Sequence, residues 1–289
     1  MTHHARLNWV MFITIVGVMV FLYFKPQPQE TLKYSIFNEP AASVHSVRIV
    51  RRQYEIALER SGDQWRMIKP VEAAVDERKA QAIFEILNAR SELRILATDL
   101  GRFGLLQPNV QLFIDDQSVN FGSFAPVKHQ QYVQAKQHVY LISPRYGLLL
   151  PRNATELINP IVFPPGEIPR KFVLPQFEIE MQDGQWHITS AKQNEPIDHE
   201  TMVQWVELWQ SLPAAELTIG GHVEADSIDK SLIVIELQDG RVIDFDVLKN
   251  ESSIILLRTD NGIGYQFPVE TGRQLLDPHI IQKKLLTSH

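Results

Sequence analysis

The sequence predicts an α+β protein: an N-terminal transmembrane helix followed by a duplicated unit of antiparallel sheet with one packed helix. Three observations predict it. An uncharged apolar run opens the chain, with a Pro-Gln stretch behind it. The remainder alternates period-two apolar stretches, the mark of half-buried strands, with two short stretches of helical periodicity. The order strand, turn, Trp strand, helix and strand meander then occurs twice.

The first element is the run from Leu7 to Phe24. As a helix it would cover about 27 Å, close to the ~30 Å hydrocarbon core of a bilayer. Trp9 and Tyr23 lie near its ends, where amphipathic rings suit the headgroup level. The run is longer than the core of a signal peptide and ends in Leu22, Tyr23, Phe24 and Lys25 without a small-residue cleavage site. An uncleaved anchor is therefore expected, stopped by Pro26 and Pro28. The short tail with Arg6 ahead of it, against Lys25, Lys33 and a large domain behind it, favours an N-in orientation. The expected layout is a cytoplasmic tail at 1–6, a single-pass anchor at 7–24, a linker at 25–45, and a periplasmic domain at a bacterial inner membrane.

The two repeats are expected at 46–159 and 172–289, with a second linker at 160–171 marked by Pro160, Pro164, Pro165 and Pro169. Each opens on alternating apolar residues, Tyr54 to Leu58 and Phe177 to Met181. Each turns tightly, at Ser61-Gly62 and Asp183-Gly184, into strands carrying Trp65 and Trp186. Asp76 and Asp198 stand where a carboxylate can accept the free amides of a first helical turn. Ala80, Ile83, Phe84 and Leu87 then share one helix face, as do Met202, Trp205, Val206 and Trp209, at a constant offset of 122. Val110, Leu112 and Ile114 alternate, as do Ile233, Ile235 and Leu237. Further strands follow in each, with exits at Pro144 and Pro268.

Composition narrows the function. With 44% hydrophobic and 21% charged residues, the chain can build a core and is not disordered. Arg6 is the only charged side chain before Lys25, so of 28 basic groups 27 remain against 34 acidic ones in the body. That balance disfavours nucleic acid, whose phosphates need a basic face. The absence of cysteine removes disulfides, thiolate nucleophiles and Cys-based zinc sites.

The first repeat resembles a known family. It runs Gln64-Trp65-Arg66-Met67, Pro70, Asp76, Asp99-Leu100, Phe103-Gly104-Leu105, Pro108, Phe121-Gly122, Gln131-Tyr132-Val133 and Val139-Tyr140-Leu141. In this order it is similar to a bacterial membrane-anchored domain family of unknown function found beside gliding-motility-type ABC transporter components. The second repeat departs from the pattern, with Gly220-Gly221-His222 and Ser227-Ile228 where Phe-Gly-Leu-x-x-Pro would stand. The family brings no catalytic residues. The resemblance implies an accessory to an ABC-2-type transporter.

The search for chemistry returns little. No histidine pair has helical metal-ligand spacing, and Asp198-His199-Glu200 reads as an acid-enriched first turn. His129 and His138 could face each other across a hairpin. Asp115 and Asp116 are adjacent on a strand end, point to opposite faces and make a better hairpin tip than an acid–base pair. No nucleophile elbow, Ser-x-x-Lys motif or phosphate loop stands out, and Asn261-Gly262 reads as a turn rather than the start of a dinucleotide fingerprint. Trp205 and Trp209 could line a sugar-binding face but read better as core. No catalytic residue, metal ligand or cofactor is expected. The positions singled out for structure or interaction are Phe103, Gly104, Leu105, Trp65 and Trp186.

The function expected is an accessory or protein-binding subunit. Its partners would be a membrane or periplasmic protein such as a transporter permease, and the lipid bilayer through residues 7–24. The rival is a solute-binding module or enzyme using the cleft between the repeats.

Overall fold

The computed structural model describes residues 3–24, 32–37, 40–52, 54–126, 129–191, 197–220 and 231–287. It is a mixed α+β structure with mostly antiparallel sheets and few helices.

The chain opens with helix α1 (His3–Phe24). Among the described residues, no helix is long and apolar enough to cross a membrane. The transmembrane anchor at 7–24, the signal-anchor reading and the single-pass inner-membrane location are corrected accordingly. Helix α1 begins at His3, inside the stretch 1–6 expected as a tail. Lys25, Pro26 and Pro28 lie outside the described residues, as do Gly221, His222, Ser227 and Ile228.

The first half contains β1 (Tyr34–Ser35), β2 (Ser46–Arg51), β3 (Tyr54–Ser61), β4 (Gln64–Lys69), β5 (Ala73–Ala74), α2 (Glu77–Phe84), β6 (Arg90–Ser91) and β7 (Arg94–Leu96). It continues with β8 (Val110–Ile114), β9 (Gln117–Phe124), β10 (Gln131–Ala135), β11 (His138–Ile142) and α3 (Arg145–Leu148). The second half contains β12 (Pro169–Val173), β13 (Phe177–Gln182), β14 (Gln185–Ala191), α4 (His199–Ser211), β15 (Glu216–Ile219), β16 (Ser231–Leu237), β17 (Val242–Lys249), β18 (Ser253–Arg258), β19 (Ile263–Pro268), α5 (Val269–Leu276) and α6 (His279–Thr287).

The strands form separate sheets, ordered β5-β4-β3-β2-β8-β9-β10-β11-β7 and β14-β13-β12-β16-β17-β18-β19-β15, beside the small pair β1-β6. All named pairings in both large sheets are antiparallel. Strand alternation explains which residues turn inward. Val110, Leu112 and Ile114 are buried along β8 while Gln111 and Phe113 are half-exposed between them. Ile233, Ile235 and Leu237 repeat this along β16.

Both expected caps form. The Asp76 carboxylate accepts the Arg78 N–H at 3.0 Å, and Asp198 accepts the Thr201 N–H at 2.8 Å. Ala80, Ile83 and Phe84 of α2 are buried, and Leu87 follows in a 3-10 turn. Met202, Trp205, Val206 and Trp209 are buried on α4. Trp205 and Trp209 are fully enclosed, and their indole N–H groups donate to the Leu275 carbonyl at 3.1 and 3.0 Å, tying α4 to α5. That excludes them from an open sugar-binding face.

One continuous buried cluster runs from Ile36 to Leu275 through both halves. The stretch that sequence reading assigns to a linker, 160–171, is packed within it. Val162 and Phe163 are buried, and Pro169 starts β12. Proline fits there because the first residue of a strand can do without a donated N–H.

Candidate functional site

Residues 157–167 form a strap that bonds to both sheets. Its first part extends the edge of the first sheet: Asp76 N–H donates to the Leu157 carbonyl at 2.8 Å, Asn159 N–H to Ala74 at 2.9 Å, and Val75 bridges Ile158. Its middle meets the end of α4, where Ala214 N–H donates to Pro160 at 2.8 Å and Ile161 bridges Pro213. Phe163 then enters the second core, with its ring 6.1 Å from Trp209 and 6.4 Å from Phe172.

Arg258 clamps the end of the strap. Its side chain, 5% exposed, lies at the end of β18. Nη1 and Nη2 fork onto the Glu167 carboxylate at 2.7 and 2.9 Å. Nε and Nη2 reach Asp260 at 2.9 and 3.1 Å, and Nη1 also donates to the Val162 carbonyl at 3.3 Å. A guanidinium has five N–H donors, and these acceptors take all five. The Glu167 carboxylate also accepts from Arg241 at 3.0 Å, and Arg241 is held in turn by Asp239 at 2.8 Å. Burial works against the Arg258 charge. The hydrogen bonds and charges of Glu167 and Asp260 outweigh it and push its pKa above the ordinary arginine value.

Two adjoining hollows flank the strap and share Ala74, Asn159, Ile161 and Pro164. The larger, about 430 Å³, is walled by Val75, Ile161 and the prolines 160, 164, 165 and 213, with Gln64 and Arg78 among its polar lining residues. The smaller, about 280 Å³, is polar. Arg66 and Glu72 come to it from the first half, and Arg241, Asp260, Asn261 and Tyr265 from the second. Tyr265 is 3% exposed, and burial pushes its phenol up to about 12.

The residues singled out from sequence lie elsewhere, except one. Phe103, Gly104 and Leu105 form a turn against β9. Gly104 has φ of 68°, the Ser123 hydroxyl donates to the Phe103 carbonyl at 2.9 Å, and Phe103 and Leu105 are buried with Val139 in a small separate cluster. A side chain on Gly122 would stand 2.3 Å from the Phe103 carbonyl, so that glycine is what lets the turn dock. Trp186 packs on Phe172, 5.8 Å between rings, inside the second core. Trp65 lines the larger hollow while packing on Phe84 at 5.1 Å, and its backbone N–H donates to Glu77 at 2.7 Å.

The other sequence candidates are also placed. Asp115 sits in the β8–β9 turn at φ 47° and accepts the Ser46 N–H at 2.7 Å. His129 and His138 do not face each other, because His138 pairs Ala135 and His129 lies beyond the strand start at Gln131. His199 occupies the first turn of α4, and among the described residues no group of His, Asp or Glu is placed to hold a metal ion. Sequence reasoning missed Arg258, Glu167 and Tyr265. The only local signal was Arg258-x-Asp260, two acidic or basic groups one strand period apart at a hairpin.

Comparison with family models, with curated proteins and with solved structures finds no match for this chain.

Proposed function

We propose that this chain is a binding subunit rather than an enzyme, taking an extended segment of a partner protein in the cleft between its halves. The observation that carries the reading is the pair of adjoining hollows, one apolar and one polar, lined by both halves and floored by a strap bonded to both sheets. Such a surface suits a chain that lays apolar side chains over prolines and polar groups over the charged end. The two strongly shifted groups of the cleft are not poised for proton transfer themselves. Arg258 stays charged and Tyr265 stays neutral across the neutral range, so neither serves as general acid or base there. The family resemblance of the first half supports a transporter permease as the partner.

The two halves, 46–159 and 172–289, are proposed as copies of one unit. Strand order supports this. Reading β4-β3-β2-β8-β9-β10-β11-β7 against β14-β13-β12-β16-β17-β18-β19-β15 matches every strand to one at the same place in chain order, with α2 and α4 between equivalent strands. The extra β5 edge is where the strap attaches to the first sheet.

The test is photo-crosslinking in the cells that make the protein. A photoreactive residue replaces Arg78 or Pro165 at the cleft rim, or Asp183 at a hairpin tip away from it. The expected result is one discrete adduct shared by the two rim positions, absent at Asp183 and lost when Ile161→Asp is added. Equal labelling at all three positions, or none, overturns the reading.

A further inference from the structure

We infer that the polar end of the cleft binds a carboxylate, supplied by the chain end of the bound segment. The inference rests on reading the cleft as a binding site and names the chemistry of one end of it.

Three observations lead there. First, the Tyr265 side chain is almost wholly buried and lines the polar hollow, and no hydrogen bond holds its hydroxyl among the described residues. The fully enclosed side-chain atoms without a partner there are Arg51 Nε and Thr218 Oγ1, so the Tyr265 hydroxyl is not sealed off from the hollow. A buried phenol that meets no protein acceptor is a donor presented to whatever fills the hollow. Its raised pKa keeps that proton in place across the neutral range. Second, Asn159 and Asn261 each spend the side-chain oxygen on a local turn, accepting the Ile161 and Ile263 N–H groups at 3.0 and 3.1 Å. Their amide nitrogens have no partner among the described residues and remain as donors at the same hollow. Third, Arg66 has only a 3.9 Å contact with Glu72 and is 58% exposed.

The acceptors present are largely engaged. Glu167 holds two arginines and Asp260 holds Arg258. Glu72, 75% exposed, meets Arg66 at 3.9 Å and is the less engaged acceptor of the hollow. The free groups of the hollow are thus mostly donors: a phenol, two amides and a guanidinium. Formal charge there is balanced, Arg66, Arg241 and Arg258 against Glu72, Glu167 and Asp260. Donor direction rather than net charge therefore selects the ligand, and a planar group with two oxygens and no proton to give is what such donors complement. A carboxylate at the end of a polypeptide reaches this hollow while the preceding residues lie over the adjoining proline-walled one.

The experiment uses the whole chain and two sets of probes at fixed ionic strength. One set is small acids against their amides, succinate against succinamide and acetate against acetamide, read by shift of the thermal midpoint. The other is an immobilised library of random decapeptides with free or amidated C-termini. Free-carboxyl peptides that outbind their amides place the carboxylate at a chain end, and stabilisation by the small acids alone places it on a free solute. In either case Tyr265→Phe and Asn261→Ala are each expected to weaken binding by about tenfold, the effect of one hydrogen bond to a charged group. Tyr265→Phe removes a hydroxyl that holds no hydrogen bond among the described residues, so the variant folds and the comparison stands. Equal responses to acid and amide, or binding unchanged in both variants, overturn the inference. That outcome leaves the binding reading intact if rim crosslinks at Arg78 and Pro165 persist. Loss of those crosslinks with carboxylate binding retained condemns only the partner-segment reading.

Discussion

Removing the Glu167 carboxylate tests whether the Arg258 clamp holds the strap. In Glu167→Ala, Arg258 loses both short bonds at 2.7 and 2.9 Å and keeps Asp260 and the Val162 carbonyl. Arg258 is 5% exposed, so water does not fully replace what is lost. Breaking a buried pair by removing one partner costs roughly 3–5 kcal/mol. The surviving Asp260 contacts place this case near the lower end, about 3 kcal/mol. For a chain of this size that is a drop of about 6–12 °C in the thermal midpoint. The double variant Glu167→Leu with Arg258→Met removes the buried pair and leaves apolar atoms of similar volume, while Arg241 keeps Asp239 and Asp260 stays 45% exposed to water, so it is expected to be more stable than Glu167→Ala. Urea unfolding followed by tryptophan fluorescence reads both. A loss under about 1 kcal/mol in the single variant, or a double variant less stable than the single, refutes the clamp.

Three further outcomes follow from local geometry. Gly122→Ala sets a Cβ against the Phe103 carbonyl and the Leu105 side chain, so it is expected to lower stability by about 3 kcal/mol in urea unfolding and to loosen the turn at Phe103. Hydrogen bonds from Thr201 hold the Asp198 pKa below the usual carboxylate value. With the folded value depressed, the stabilisation is present above the unfolded pKa and is lost as pH falls through the folded one. Asp198→Ala should therefore cost about 1 kcal/mol at pH 7 and progressively less as pH falls below the ordinary carboxylate value, in unfolding curves at several pH values. For Tyr265 the raised pKa has the opposite consequence: the unfolded chain ionises near the ordinary value of 10 while the folded one does not. Stability should fall as pH rises above about 10, and Tyr265→Phe should lessen that fall in alkaline unfolding curves.

How much of this was legible in the sequence depends on the distance over which the signal is carried. The faces of α2 and α4 could be read because helical spacing alone puts Ile83 and Trp205 inward. The caps at Asp76 and Asp198 needed only the next three residues. Strands β8 and β16 announced themselves by period-two burial. Strand β12 did not, because Pro169 reads as a breaker and the apolar Phe172 has too few neighbours to show a period. The apolar run at the start was read as a span from its length and lack of charge, whereas no helix among the described residues is long and apolar enough to cross a membrane. The cleft was the least legible part. Arg258 finds Glu167 at a separation of 91 residues and Val162 at 96, and nothing near Arg258 marks either partner. Tyr265 looks like any strand aromatic until the surrounding strands enclose its ring.

The clamp and the binding hollow are adjacent for a physical reason that can be tested. Arg258 has no donor left for a ligand, yet it lies in the wall of the polar hollow beside Tyr265. Its effect on binding must then be indirect: it fixes residues 162–167, and through them Asn159 and Ile161, which belong to the hollow itself. A positioning role and a contact role separate in two variants. Glu167→Ala should lower both stability and affinity for the carboxylate probes, because it frees the strap. Tyr265→Phe should lower affinity and leave the neutral-pH unfolding curve unchanged, because no hydrogen bond holds its hydroxyl among the described residues. Titrating both variants with the free-carboxyl peptide that binds best, beside their urea curves, gives the comparison. If Glu167→Ala loses stability but binds as tightly as the parent chain, the strap does not shape the hollow, and the two features are neighbours without being coupled.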